Sequence, residues 1–108
     1  MLKEEATNVK TSRYSFKDER YFYYLVKSRF HEVEQKAWME IGRVIKERGS
    51  IDRVDAGLIF FGNVKDEDET LKRNFAKRMK YLVDNGALNE EEVYEKIPKE
   101  KLKKYRLE

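Results

Sequence analysis

The apolar residues between positions 22 and 44 recur at the spacing of an α-helix. Their separations are four, four, three, four, four and three residues, which places them on one helical face. They are Phe22, Val26, Phe30, Val33, Ala37, Ile41 and Val44. Since globular helices usually run to about 8 to 20 residues, the pattern predicts one long helix or two nearly collinear helices with a break near residues 28–31.

A second helical series lies in residues 71–83. Its apolar members are Leu71, Phe75, Met79, Leu82 and Val83. Acidic residues fill positions 66–69, where the positive end of the helix dipole favours negative charge, and Asn85-Gly86 is typical of a C-terminal cap. Between the two series, the apolar residues of the 51–61 segment have helical spacing, and a short buried strand at 58–61 is the alternative.

The two ends of the chain lack a sustained pattern. Residues 1–13 show no periodicity, which predicts a flexible N-terminal arm. Ser15 and Asp18 resemble a capping box for the first helix. Val93 and Ile97 are one helical turn apart and predict a short helix in residues 88–97, and residues 98–108 form a basic C-terminal tail. The predicted fold class is mainly α: one small helical bundle over residues 14–97.

The order of these elements resembles that of a winged helix-turn-helix domain. A helix ends at Arg48-Gly49-Ser50, a short element and a turn at Gly62-Asn63 follow, and a longer basic helix closes in LVDNGAL. The match covers roughly residues 33–97 and is one of pattern. The resemblance implies a helix-turn-helix core whose third helix enters the major groove, with a β-wing beginning near Leu88.

Composition limits the classes of protein that this chain can belong to. It has 108 residues, of which 42% are charged and 40% hydrophobic, and it lacks cysteine, so one modest core without disulfides or thiolate sites is expected. No stretch suits a signal peptide or a membrane span, which predicts a cytoplasmic protein without membrane association. Abundant lysine and glutamate beside a single glutamine are typical of thermostable proteins.

Motifs for catalysis or cofactor binding are missing from the sequence. No phosphate-binding loop or dinucleotide-binding loop occurs. His31, Glu34 and Gln35 are too few for a metal site, and Ser15 and Ser50 are better explained as helix caps than as nucleophiles. We therefore expect a protein that is not an enzyme and binds neither metal nor cofactor.

Basic residues on the 71–81 helix point to a polyanionic partner. Five cations occur there with no acid among them, and such a local excess favours nucleic acid, with DNA favoured over RNA. The predicted contacts, with Asn74 as the one reader of base edges, are Lys72, Arg73, Asn74, Lys77, Arg78 and Lys80. Further backbone contacts from the tail are predicted for Lys101, Lys103 and Lys104, together with Lys99 and Arg106.

Aromatic residues near the N-terminus suggest a second function. Half of the aromatic side chains lie between positions 14 and 30, and aromatic anchors dominate the energetics of protein interfaces. The alternative is therefore an accessory subunit that docks on a larger assembly through this segment, with Tyr14, Tyr21, Tyr23 and Tyr24 as contacts. Stacking of Tyr23 or Tyr24 on a base, a lid over the core and a homodimer interface are further interpretations.

Overall fold

The structure, a computed structural model, describes residues 6–64 and 69–107 and the side chains of all of these except 69–72, 106 and 107. Within that part of the chain it contains five helices and one three-stranded antiparallel sheet. The fold is therefore α+β, and the prediction of a mainly α helical bundle is wrong. The elements are β1 (Ala6–Phe16), α1 (Glu19–Arg29), α2 (Glu32–Arg48), β2 (Ile51–Asp52), α3 (Arg53–Asn63), α4 (Glu69–Asp84), β3 (Leu88–Pro98) and α5 (Lys99–Leu107).

Strand β1 is the centre of the sheet, which has the order β2-β1-β3. It pairs with β3 along its whole length, from Ala6 opposite Pro98 to Phe16 opposite Leu88, and with β2 at Tyr14 opposite Ile51. The prediction of a flexible arm is therefore wrong for residues 6–13, which form most of the central strand. The helix predicted for residues 88–97 is wrong, because the same residues form the partner strand β3.

The β1–β3 ribbon packs its two faces against two different cores. Directly paired residues share a face, and successive residues alternate between faces. Val9 and Ile97 lie on one face and pack with Leu102 in a small cluster. Tyr14 lies on the opposite face and belongs to the main core. Because both faces are used, neither strand has a simple alternation of apolar and polar residues.

Helices α1 and α2 fold back on each other. The helical structure is interrupted at Phe30, within the predicted interval of residues 28–31, but the two helices are not collinear. Gln35 of α2 donates from its side-chain amide to the carbonyl oxygen of Phe30 at 3.1 Å, and Lys46 lies 3.4 Å from Glu19 at the opposite end of α1. The N-cap of α1 is Asp18, whose carboxylate accepts from the Tyr21 amide at 3.0 Å.

The break at Phe30 also shifts the phase of the apolar face on α2. Val33, predicted to be in the core, is 58% exposed, whereas its neighbour Glu34 is fully buried. Asp52, rather than Ser50, caps the next helix, α3. Ser50 instead accepts a hydrogen bond from the Arg13 guanidinium at 2.8 Å. Glu34 and Ser50 thus both bind elements that are distant in the sequence, Glu34 through Arg78 of α4 and Ser50 through Arg13 of β1.

Helix α4 confirms the helix predicted for residues 71–83. Phe75, Met79 and Leu82 are buried, and the side chain of Leu71 lies outside the described residues. The Phe75 ring stacks on Trp38 of α2 with centroids 5.9 Å apart. The helix ends at Asp84, just before the predicted stop at Asn85-Gly86, and Gly86 has a positive φ of 80° that favours glycine.

Helix α5 occupies most of the segment predicted as a basic tail. It docks on α3 at Gly57, where a Cβ atom would lie 2.3 Å from the Tyr105 ring, so only glycine allows this approach. The strand that begins at Leu88 pairs with β1 rather than with a strand after it. The wing hairpin implied by the winged-helix resemblance is therefore not formed by residues 88–107.

Candidate nucleic-acid interface

Two of the predicted nucleic-acid contacts on α4 point into the molecule instead. Arg78 donates to both carboxylate oxygens of Glu34, at 3.2 and 3.3 Å, and Asn74 donates to Glu34 at 3.1 Å. The Arg78 guanidinium also lies 5.1 Å from the centre of the Phe30 ring. Arg78 and Asn74 therefore satisfy a buried carboxylate, and Asn74 is not available to read a base edge in this arrangement.

The remaining cations of α4 fall into two groups. Lys80 lies 4.0 Å from Asp84 one turn later, and both side chains are exposed, so this pair contributes little to stability. Arg73 and Lys77 are exposed and have no acidic partner among the residues that the structure describes. The side chain of Lys72 lies outside the described residues, as do residues 65–68 with most of the predicted acidic lead-in.

The basic residues of α5 likewise include one that is paired inside the molecule and others that are exposed. Lys101 forms an ion pair with Asp55 of α3 at 2.8 Å, which helps to hold α5 in place. Lys103 and Lys104 are exposed on the outer side of the helix. Lys99 has an interaction within the molecule, and the side chain of Arg106 lies outside the described residues.

The four tyrosines predicted to bind a partner have different environments. Tyr14 is fully buried, donates to Glu90 at 2.8 Å and accepts from Arg53 at 2.9 Å. Tyr23 is half-buried beside Gly42 of α2, and burial, followed by the charge of Glu19, raises its pKa. Only Tyr21 and Tyr24 remain as a surface pair, with Tyr24 57% exposed.

The Tyr14 hydroxyl is part of a network that joins the sheet to the helices. Burial, and then the hydrogen bond to the Glu90 carboxylate, raises the pKa of Tyr14 above its ordinary value of 10.0. The Arg53 guanidinium that donates to Tyr14 also lies 5.5 Å from the centre of the Phe75 ring on α4. Tyr14 is therefore a residue that stabilises the fold and not a docking contact.

Two further cations, which are not among the predicted contacts, lie at the end of α1 that approaches α4. Lys27 and Arg29 are exposed in the last turn of α1, immediately before Phe30. The Phe30 ring contacts both Arg78 and Tyr81 of α4, the latter with centroids 6.0 Å apart. The signal was present in the sequence, since residues 20–31 contain basic but no acidic side chains.

Helix α1 runs antiparallel to the second half of α4. Its C-terminal end meets α4 at the Phe30–Tyr81 contact, and its N-terminal end is joined to the residues after α4 by the Asp18 amide, which donates to the carbonyl oxygen of Ala87 at 3.2 Å. We refer to the exposed or half-buried side chains Tyr21, Tyr24, Lys27, Arg29, Arg73 and Lys77 of these two helices as the α1–α4 surface.

Acidic side chains around the α1–α4 surface are mostly engaged elsewhere. Asp18 caps α1, Glu19 pairs with Lys46, and Asp84 pairs with Lys80. Glu32, in the first turn of α2, is exposed. Among the side chains that the structure describes, this surface therefore has four cations and one unpaired acid, a local excess of positive charge, although the net charge of the whole chain is only +3.

Other kinds of site have less support in the described residues. No group of three His, Cys, Asp or Glu side chains in residues 6–64 and 69–107 is arranged to hold a metal ion. The helices of this part of the chain are too short or too polar to cross a membrane. A groove of about 500 Å³ lies between the ribbon and α5, beside Arg53, Leu102 and Tyr105, but an ion pair between Lys10 and Glu92 already crosses the ribbon there.

Comparison of the chain with protein-family models, with curated proteins and with solved structures finds no match in any of the three.

Proposed function

We propose that this protein binds nucleic acid, DNA in the first instance, through the α1–α4 surface and without catalysing a reaction. The observation that carries the proposal is the set of four exposed cations, Lys27, Arg29, Arg73 and Lys77, which have no acidic partner among the described residues. Phosphate groups are the natural counter-ions of such a cluster, and their neutralisation releases condensed ions from the nucleic acid.

The hydrogen bond of Asn74 inside the molecule favours recognition of the phosphate backbone of the nucleic acid rather than of its base sequence. Asn74, the one predicted reader of base edges, is hydrogen-bonded to Glu34. The free groups are lysine and arginine side chains, which position a protein on phosphates and carry no sequence information by that contact alone. We therefore expect binding of moderate affinity with a weak dependence on base sequence.

The proposal is tested by removing two charges from α4. The variant Arg73→Gln/Lys77→Gln should bind a labelled oligonucleotide more weakly than the wild type in a fluorescence anisotropy titration. Each lost phosphate contact should reduce the magnitude of the slope of log affinity against log salt concentration by about 0.7 on a single strand or about 0.9 on a duplex, so the loss of two contacts should reduce it by about 1.4 to 1.8. Both side chains are exposed, and unfolding in urea should be nearly unchanged.

A matched control removes two cations from another helix. Arg43 and Arg48 of α2 are exposed, and Arg43 pairs with Glu40 and Glu47 of the same helix, so Arg43→Gln/Arg48→Gln makes the same change in net charge outside the α1–α4 surface. The control should keep the wild-type salt slope. Equal weakening in both variants would show an effect of net charge alone, and the absence of binding up to about 100 μM at low salt would refute the proposal.

The second candidate function is docking on a larger protein assembly. It is favoured by the exposed Tyr24, whose ring is nearly parallel to that of the half-buried Tyr21, because tyrosine is enriched among the residues that dominate interface energies. Tyr14 and Tyr23 no longer support it, since their rings are used inside the molecule. A stoichiometric protein complex that survives high salt during purification and is lost in Tyr24→Ala would favour this function over nucleic-acid binding.

A further inference from the structure

Two tyrosine rings on α1 form a flat, accessible platform. The rings of Tyr21 and Tyr24 are nearly parallel, with an interplanar angle of 12° and centroids 6.2 Å apart. Tyr24 is 57% exposed and Tyr21 is half-buried, so Tyr24 is the ring of the pair that a ligand can reach. A parallel aromatic pair of this kind is pre-organised, since each ring restricts the rotation of the other.

The platform lies on the side of α1 that faces away from α2. Tyr23 marks the side that contacts α2, because its hydroxyl lies beside Gly42. Each residue advances a helix by about 100°, so Tyr24 and Tyr21 are turned away from that contact. Lys27 follows Tyr24 by three residues and is therefore its neighbour on the helix surface.

We infer, on the basis of the function proposed above, that the ligand is an unpaired strand of nucleic acid. Its base would stack on Tyr24 while its phosphates contact Lys27, the neighbour of Tyr24 on α1, and other cations of the α1–α4 surface. Every base offers a π-face, so stacking needs no particular sequence. In a duplex those faces are covered by neighbouring base pairs, and an exposed aromatic platform then contributes nothing. The platform and the cations together thus select single strands.

The inference is tested by comparing single-stranded ligands with a duplex of the same length. Anisotropy titrations compare a labelled 15-nucleotide oligo(dT), the same length of oligo(U), and a mixed-sequence 15-base-pair DNA duplex, for the wild type, Tyr24→Ala and Tyr24→Phe. One lost stacking contact should weaken binding to oligo(dT) by roughly 5- to 150-fold in Tyr24→Ala, and Tyr24→Phe should retain most of the affinity. Duplex affinity should be the same in all three proteins, and the wild type should bind either single strand more tightly than the duplex.

A second exposed tyrosine provides the matched control. Tyr94 on β3 is 71% exposed and lies outside the α1–α4 surface, so Tyr94→Ala should bind oligo(dT) as the wild type does. Equal weakening of strand and duplex by Tyr24→Ala, or no effect on either, would overturn the inference. In those cases the proposed function stands if Arg73→Gln/Lys77→Gln still lowers the salt slope. If the wild type binds none of the three ligands, the proposed function fails as well.

Discussion

Glu34 is the residue whose environment most changes the interpretation of α4. A fully buried carboxylate is costly unless charged partners and hydrogen bonds satisfy it. Arg78 and Asn74 provide both from α4, and the Phe30 ring covers the guanidinium. The identity of Arg78 is therefore explained by the fold, and a carboxylate at position 78 would face Glu34 directly.

Removal of the Glu34 carboxylate should destabilise the protein. In Glu34→Ala the guanidinium of Arg78 would lose its counter-ion and Asn74 its acceptor. Loss of one partner of a buried ion pair costs about 3 to 5 kcal/mol, and since the Arg78 side chain is 23% exposed we expect about 3 kcal/mol. The measurement is the free energy of unfolding in urea.

The neighbouring acid on the same turn offers a control for this change. Glu32 is exposed in the first turn of α2, where an acid contributes about 0.3 to 1 kcal/mol through the helix dipole. Glu32→Ala should therefore lower stability by less than about 1 kcal/mol. Similar losses in the two variants would contradict the assignment of Glu34 as the internal partner of α4.

Tyr14 should make the fold sensitive to alkaline pH. Its pKa is raised in the folded protein above the ordinary 10.0, so the unfolded chain releases the phenol proton at lower pH than the folded protein does. Its contribution to stability is thus complete below about pH 10 and is lost as pH rises through the folded pKa. Urea unfolding between about pH 8 and pH 11 measures this loss.

Tyr14→Phe isolates the contribution of that hydroxyl. The variant should be less stable by about 1 kcal/mol at neutral pH, because Glu90 and Arg53 lose a hydrogen-bond partner. Its stability should nevertheless fall less steeply in alkali. Tyr94→Phe, at a side chain that is 71% exposed, should retain the wild-type decline. An alkaline decline in Tyr14→Phe as steep as that of the wild type would show that other groups cause it.

Among the elements, β1 is the one whose role differs most from the prediction. Its sequence ATNVKTSRYSF carries β-branched residues at alternate positions up to Thr11, and aromatic residues with the opposite phase at Tyr14 and Phe16. The change of phase reflects the two cores that the ribbon covers. Strand propensity depends strongly on such packing partners, which a local pattern does not contain.

Hydrogen exchange distinguishes a central strand from a flexible arm. Amides of β1 that face β3 should exchange slowly, approaching the protection of the helix amides around Trp38, because the pairing with β3 extends from Ala6 to Phe16. Slow exchange is expected only where opening requires the ribbon to separate. Exchange of these amides at the rate of an unstructured peptide would contradict the sheet.

Helix α4 shows the opposite case, in which the local pattern was sufficient. Its apolar spacing predicted the helix and its buried face at Phe75, Met79 and Leu82. From the same pattern, we predicted that every residue on the polar face of α4 is accessible to a partner. Because α4 packs beside the start of α2, Asn74 and Arg78 on the polar face of α4 contact Glu34 inside the molecule. Of the α4 cations whose side chains the structure describes, only Arg73 and Lys77 are exposed without an acidic partner among the described residues.

For the whole molecule, the distribution of charge matters more than its sum. The chain carries 24 basic and 21 acidic residues, and many of these neutralise each other across elements, as in the Lys101–Asp55 and Arg13–Glu95 pairs. The cations that remain for a partner include the local excess on the α1–α4 surface. A prediction based on net charge would miss it.

The proposed surface leads to a numerical expectation for salt dependence. If Lys27, Arg29, Arg73 and Lys77 each neutralise one phosphate of a single strand, the slope of log affinity against log salt should be about −2.8. A rise from 50 to 200 mM salt would then weaken binding roughly 50-fold. Anisotropy titrations at several salt concentrations measure the slope, and a value near zero would exclude phosphate contacts as the source of affinity.

The sequence by itself determined the helices whose apolar face repeats regularly, the turn at Gly86 and the local excess of cations. These features depend on residues within a few turns of one another, so their spacing is enough to predict them. The tertiary structure alone decided the sheet, the phase of α2 and the fate of the α4 cations. The sheet joins residues about 80 positions apart, and Glu34 meets Arg78 across 44 positions. Such contacts depend on how the elements pack, because a buried charge or an unpaired strand can be satisfied only by whichever partner the fold brings to it.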